Sequence, residues 1–163
     1  MRYTKTVHDI SSLFEANKGK LFAYLVRLTG NTDEAQDILQ ESIMRYMEHY
    51  RAEENPGALL FTIARNAVID NRRRRLRIVP IDEDHRDSRT DQEHSLIVKD
   101  RYRKVLSSLN KLGEDERDIL SMVLSSDLSY REIAAIHGMS VSNVKVKVHR
   151  ARLRLKKIFE GEE

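Results

Sequence analysis

Apolar side chains recur every three or four residues along most of this 163-residue chain, the period of an amphipathic α-helix. In the first half the pattern predicts three long helices. Ile10, Leu13, Phe14, Leu21, Tyr24, Leu25 and Leu28 share one face of the first, which Gly30 ends. Asn31 or Thr32 caps the second, where Ala35, Ile38, Leu39, Ser42, Ile43, Tyr46 and Met47 line one side. Pro56 opens the third near its first turn, where a missing N–H costs nothing. That helix runs through Phe61, Ile63, Ala64, Ala67, Val68 and Ile69 into Arg72-Arg73-Arg74-Arg75. Four shorter helices are expected beyond, over roughly 97–111, 114–125, 129–137 and 140–159. Between the two sets the period lapses. From Pro80 to Asp91 the chain has almost no apolar side chains and reads as a flexible linker. The expected fold is therefore all-α: two small helical domains, 1–78 and 98–163, joined by an acidic flexible linker over 79–97.

The sharpest local signal is Ser129 to Leu155. Ser129-Tyr130-Arg131-Glu132 has the form of a capping box, in which serine caps the first free N–H groups of a helix and glutamate reaches back. Ile133, Ala134 and Ile136 make that helix's inner side, and the small Ala134 lets a second helix cross close by. Gly138 supplies the positive φ of a tight inter-helix turn, and Ser140 caps the next helix. There Val141, Val144, Val148, Ala151 and Leu155 face inward, while Ser142, Asn143, Lys145, Val146, His149, Arg150 and Arg152 face out. From Lys145 to Lys157 there are seven Lys or Arg and no acid, so the outer face is cationic throughout. An apolar back with a cationic, hydrogen-bonding front suits the major groove of DNA, and the segment reads as a helix-turn-helix. The competing reading is an αα-hairpin with a solvated basic face; it leaves the coincidence of caps, glycine and small residue unexplained.

Composition narrows the class. Apolar residues make up 40% and charged residues 34%, enough for a modest core split between small units. Six Gly and two Pro among many helix formers agree with an all-helical chain. The absence of cysteine excludes disulfides, thiolate metal sites and thiol switches, and fits a cytoplasmic protein. No stretch reads as a signal peptide or a membrane span, so no membrane insertion is expected. The net charge is only +3, but its distribution is uneven. Residues 1–78 carry 13 basic and 10 acidic side chains, residues 79–98 carry 2 and 6, and residues 99–163 carry 14 and 10. Two mildly basic blocks thus flank an acidic middle.

Two further constellations lie in the first block. Asp37, Gln40 and Glu41 share a surface of the second helix, preceded by Asp33 and Glu34, which complement the helix dipole. Spacing alone leaves that stripe equally open to two readings, a solvated face or a contact for a basic protein. On the third helix, Arg65-Asn66 and Asp70-Asn71 interrupt an apolar pattern although Asn is a poor helix former, which invites a ligand reading. Four consecutive arginines, with Arg77 beyond, exceed what the dipole needs at a helix end and point to phosphate contact. His8, His49, His85, His94, His137 and His149 lack metal-ligand spacing, and each is expected on the surface. No nucleophile sits beside a base and no carboxylates cluster as metal ligands, which argues against an enzyme acting on DNA.

Asp37-Ile38-Leu39-Gln40-Glu41, then Pro56 through Asn66 before an arginine-rich helix end, then an acidic linker and the Ser129–Leu155 module, follow one another in order. The whole, over roughly 8–158, resembles a bacterial RNA polymerase sigma factor of the extracytoplasmic-function (ECF) group. The resemblance implies a non-enzymatic specificity factor, without cofactor, metal or small-molecule substrate, that directs core RNA polymerase to promoters. By resemblance, Asp37, Gln40 and Glu41 contact the β′ clamp helices, and the C-terminal module meets the β flap. Asn66 and Asp70, with the loop around His49 to Asn55, capture an unstacked base of the minus-ten element, and Arg72, Arg73, Arg74 and Arg75 hold the backbone nearby. Lys145, Val146, His149 and Arg150 face the minus-thirty-five bases, with Ser142, Asn143, Lys147 and Arg152 nearer phosphates. The linker threads toward the RNA exit path. An anti-sigma partner, which can hold such a factor at the membrane, is implied as well. Leu59 stands where the family usually has Trp, so packing under the minus-ten loop is expected to differ, and Gly113 stands before the fifth helix where Pro is common. The alternative is a stand-alone helix-turn-helix regulator of duplex DNA; such regulators usually dimerise, and nothing here resembles a dimerisation coiled coil.

Overall fold

The computed structural model describes residues 3–49, 56–78 and 93–161. Its elements are α1 (Tyr3–Thr29), α2 (Thr32–His49), α3 (Pro56–Arg77), α4 (Glu93–Asn110), α5 (Glu114–Ser125), α6 (Tyr130–His137) and α7 (Val141–Glu160). All regular structure among the described residues is helical. The segment expected as the core of a linker, and most of the loop between His49 and Asn55, lie outside them. Helix α4 begins four residues before the predicted start at 97, in a stretch too polar to display a helical period.

Helices α1, α2 and α3 pack on one another as a bundle. Between α1 and α2 the cap is Asn31, whose Oδ1 accepts from the Glu34 N–H at 3.0 Å. Leu21, Tyr24, Leu25 and Leu28 from α1, Ala35, Ile38 and Leu39 from α2, and Leu60, Phe61, Ala64 and Val68 from α3 are buried. The Tyr24 and Phe61 rings lie 5.5 Å apart, and Phe14 meets Tyr46 edge-on at 5.7 Å. Met47, expected on the inner side of α2, is instead 52% exposed. Buried packing on this face stops at Tyr46, one residue short of the end of the periodic pattern.

In the second half, α5 and α6 pack against α7. The capping box forms as read: the Glu132 N–H donates to Ser129 Oγ at 3.2 Å, and the Ser129 N–H donates to Glu132 Oε2 at 2.7 Å. After α6 the chain reverses at Gly138, with φ 63° and ψ 37°. The Met139 N–H reaches back to the Ala134 carbonyl at 3.0 Å, closing the helix end. Ser140 Oγ then accepts from the Asn143 N–H at 3.1 Å and starts α7. Ile133, Ala134, Val144, Val148 and Ala151 are buried between these helices.

The two halves share one core. Helix α1 packs along α5, α3 touches α6, and a single cluster of buried apolar side chains runs from Leu21 to Ala151. The expected division of the core between small units therefore does not hold. Periodicity says which face of a helix is apolar but not which helix will cover it.

A buried polar centre lies on this seam. Asp118 of α5 accepts from the Tyr24 hydroxyl at 2.7 Å through Oδ1 and from Arg65 Nε at 2.7 Å through Oδ2. Tyr24 is fully buried and its hydroxyl pKa is pushed well up, first by desolvation and then by the Asp118 charge, so it remains a donor. His137 corrects the expectation of a surface histidine: its side chain is 2% exposed, and Nδ1 lies 3.8 Å from Asp118 Oδ2. Burial lowers its pKa, opposed by the Asp118 charge, and Nε2 has no hydrogen-bond partner. Around this centre Arg27 donates to Ser125 Oγ at 2.6 Å, and Lys20 pairs with Asp127 at the rim.

At Gly138 an added Cβ would meet no atom within 4 Å, so a side chain there is opposed by backbone conformation alone. Gly138→Ala is expected to destabilise the chain by about 1–2 kcal/mol in urea unfolding, with Gly138→Asn less harmful because Asn tolerates the left-handed region.

Candidate nucleic-acid interface

The local sequence of α7 builds one coherent surface. Its valines and Ala151 turn inward, which leaves Ser142, Asn143, Lys145, Val146, His149, Arg150 and Arg152 exposed together. Lys147 departs from that face. It is only partly exposed, and its Nζ lies 3.2 Å from Asp115 Oδ2 on α5. Two turns further on, Arg154 pairs with Glu116 at 3.0 Å. These two cations stitch α7 to the first turn of α5, while among the described residues the cations on the front pair with no such acid.

The arginine-rich end of α3 divides similarly. Arg73 and Arg74 are exposed. Arg75 Nη1 lies 3.2 Å from Glu34 Oε2 on α2. Arg72 turns back into the protein and donates through Nη2 to the Leu28 carbonyl at 2.9 Å, so it completes the end of α1. Of the predicted set, Arg73 and Arg74 are the cations presented outward. Asn66 is exposed about two turns earlier and Asp70 is half exposed.

On α2, Asp37 and Gln40 are exposed and Glu41 is half exposed, forming the predicted stripe. Arg45 ties it to α3: the guanidinium pairs with Glu41 and lies 4.0 Å from Asp70 Oδ2. The stripe continues into Met44, 60% exposed, and Met47. The sequence reading missed this extension because it assigned Met47 to the core. Two exposed methionines beside an acidic stripe suit a protein contact, since Met is adaptable and a purely solvated face needs no apolar residues. Among the described residues no group of His, Cys, Asp or Glu could hold a metal ion, and no helix is long and apolar enough to cross a membrane.

Two segments of the chain match known families. Sigma-70 region 2 matches residues 13–78 and Sigma-70 region 4 matches residues 102–155. The ECF RNA polymerase sigma factor EcfG of Rhodopseudomonas palustris is 33% identical over 83% of this chain and 76% of its own length. The chain belongs to the ECF sigma factors. Sigma factor SigM of Bacillus subtilis is 27% identical over 92% of this chain and 94% of its own. In structure, the sigma factor RpoE in its co-crystal with the anti-sigma factor NepR from Bartonella quintana superposes with a TM-score of 0.71. That match has 25% identity and covers 96% of this chain and 97% of the other. CnrH, solved with the cytosolic domain of CnrY, shares the fold with a TM-score of 0.69 at 20% identity, over 94% and 89% of the two chains.

As an ECF sigma factor, the protein is an alternative sigma factor that directs transcription initiation through core RNA polymerase. It is an initiation factor and not a catalyst. Region 2 corresponds to α1–α3 with their capped turns, and region 4 to the end of α4 through α7. Sequence reasoning did not find Tyr24, Arg65, His137 and Asp118 as a group. Their separation along the chain hides it, and Asp118 itself is inconspicuous at the end of the charged run Glu114 to Asp118.

Proposed function

We propose that this sigma factor divides promoter recognition between two helical domains, residues 1–78 and 98–163, connected by the acidic segment 79–97. The observation that carries this reading is the front of α7, where seven polar, cationic or small apolar side chains stand exposed on a helix whose back is buried. In the helix-turn-helix of α6 and α7, Lys145, Val146, His149 and Arg150 read the minus-thirty-five bases. Arg150 is the candidate for bidentate contact with guanine. Ser142, Asn143 and Arg152 hold phosphates, and Lys147 reaches a phosphate only by leaving Asp115.

In region 2, Asn66 and Asp70 receive an unstacked base of the minus-ten element, at an unstacking cost of a few kcal/mol that a shaped pocket offsets. Arg73 and Arg74 hold the backbone, Arg75 does so in exchange for Glu34, and Arg72 supports them from behind. Asp37, Gln40 and Glu41, extended by Met44 and Met47, contact the β′ clamp helices, and region 4 contacts the β flap. The sigma factor does no chemistry; it favours the melted strand over the duplex, which lowers the cost of opening the promoter. Work on chromosomal promoters implies a cytoplasmic protein. An anti-sigma factor is a further partner, supported by the similar sigma factor RpoE solved with the anti-sigma factor NepR.

The decisive experiment is transcription by purified core RNA polymerase on a genomic fragment library, with and without this protein. New transcripts with defined starts support the reading and reveal both elements. DNA binding without transcription or core association would replace it with a stand-alone helix-turn-helix regulator. Arg150→Ala is expected to weaken binding to a minus-thirty-five duplex by about 1–3 kcal/mol; unchanged affinity removes Arg150 from base reading. Arg152→Ala is expected to reduce the salt slope of that binding by about one, with a smaller change for Lys147→Ala because Lys147 already has an acidic partner. Asp37→Lys is expected to lose association with core polymerase at unchanged helicity, measured by co-purification and circular dichroism.

A further inference from the structure

We propose that Met44 and Met47 form a reversible oxidation site through which hydroperoxides weaken the hold of this sigma factor on core RNA polymerase. This role rests on the reading of α2 as the polymerase-contact face. Three observations carry it. First, the chain contains no cysteine, so its five methionine thioethers are the only sulfur a peroxide can oxidise. Second, burial sorts them. Met122 is fully buried and Met139 packs partly buried against the core, whereas Met44 is 60% and Met47 52% exposed. Susceptibility follows exposure, so the α2 pair is attacked before Met122 and Met139. Third, position gives the attack a consequence. Met44 lies about one turn beyond Gln40 and Glu41 and about two beyond Asp37, on the same outer face of α2, and Met47 extends that face by a further turn. The outward residues of α7 from Ser142 to Arg152 include no methionine, so the DNA-reading surface has no such site.

The fold does not depend on these two side chains. Helix α2 buries Ala35, Ile38, Leu39, Ser42 and Tyr46, and Met44 and Met47 stand outside that core. A flexible, polarisable thioether suits an irregular partner surface, but it is also open to oxygen transfer. A lone pair on Sδ attacks one oxygen of hydrogen peroxide, and the O–O bond breaks as the S–O bond forms. The departing hydroxide takes the proton from the new S–OH group and leaves as water. Sulfur loses two electrons and the peroxide oxygens gain them. The product is a sulfoxide, a polar acceptor in place of an apolar chain end. On a face that already carries Asp37, Glu41 and Glu48, it adds an acceptor and no donor. In a complex, a packed thioether becomes a buried S=O group that needs a hydrogen-bond donor, which weakens association. Enzymatic reduction of the sulfoxide restores the thioether, so the change is reversible.

The test treats the full chain with dilute hydrogen peroxide, removes the peroxide with catalase and only then adds core polymerase. Peptide mass mapping is expected to find sulfoxide at Met44 and Met47 while Met122 remains reduced. Association with core polymerase should weaken about tenfold, with helicity and affinity for the protein's minus-thirty-five duplex unchanged. Methionine sulfoxide reductases of both epimer specificities, with dithiothreitol, should restore the association. A double variant, Met44→Leu with Met47→Leu, is compared with itself before and after peroxide, whatever its starting affinity. Its ratio should stay near one, because Leu cannot be oxidised, while Met122 and Met139 are still present. Sulfoxide at both α2 positions with unchanged association would overturn the proposal, as would Met44 and Met47 staying reduced when Met122 is oxidised. An equal loss in the double variant would overturn it too, as would a fall in helicity or minus-thirty-five affinity in step with association, which marks general damage. If the untreated parent does not associate with core polymerase, the polymerase-contact reading fails and the oxidation site with it. Association that is present but indifferent to oxidation leaves that reading standing and rejects the oxidation site alone.

Discussion

Asp118 constrains this fold more tightly than any apolar contact. A buried carboxylate must be paired, because an uncompensated charge in the interior costs several kcal/mol. Its two oxygens are met by the Tyr24 hydroxyl and the Arg65 guanidinium, which come from two different helices of the other half. The angle and register of α5 against α1 and α3 are thereby set together. Burying a Leu or Phe side chain yields about 1.5–3 kcal/mol each, and many such residues lie in the shared core, so apolar burial supplies most of the driving force. Apolar burial tolerates sliding, however, whereas hydrogen bonds at 2.7 Å do not. The polar centre therefore selects among the packed arrangements that burial alone would allow.

The same economy of pairing sorts the cations. Arg72, Arg75, Lys147 and Arg154 each find an oxygen on a neighbouring helix and serve the fold. Arg73, Arg74, Lys145, Arg150 and Arg152 stand on the surface. Four arginines in a row cannot all point one way on a helix, since successive side chains are about 100° apart. A run that reads in one dimension as a uniform phosphate patch becomes, on α3, two outward arginines flanked by two that brace adjacent helices. Ion pairs with one member in solvent are weaker than fully buried ones, so Arg75 and Lys147 can exchange their acidic partners for another anion.

Much of the architecture was legible beforehand. The capping box at Ser129, the turn at Gly138 and the cap at Ser140 are local, and local chemistry determines them: each rests on atoms three to five residues apart. The outward face of α7 was legible for the same reason, because a helix with Val144, Val148 and Ala151 buried has only one other side to expose. The errors have a common cause. Met47 was assigned by the period of its own helix and His137 by its lack of metal-ligand spacing, and neither criterion sees neighbouring elements: Met47 stays exposed, while the His137 side chain is buried beside Asp118 of α5.

The sequence by itself determined the helices, their caps, the family and the surfaces that carry polar and cationic side chains, because periodicity, capping and motif order act within a few turns of chain. Only the tertiary structure decided that α5 lies on α1, that Asp118 meets Tyr24 and Arg65, and which of the consecutive arginines face solvent. Those outcomes depend on residues separated by 94 and 53 positions, and no local pattern encodes which distant partner will satisfy a buried charge.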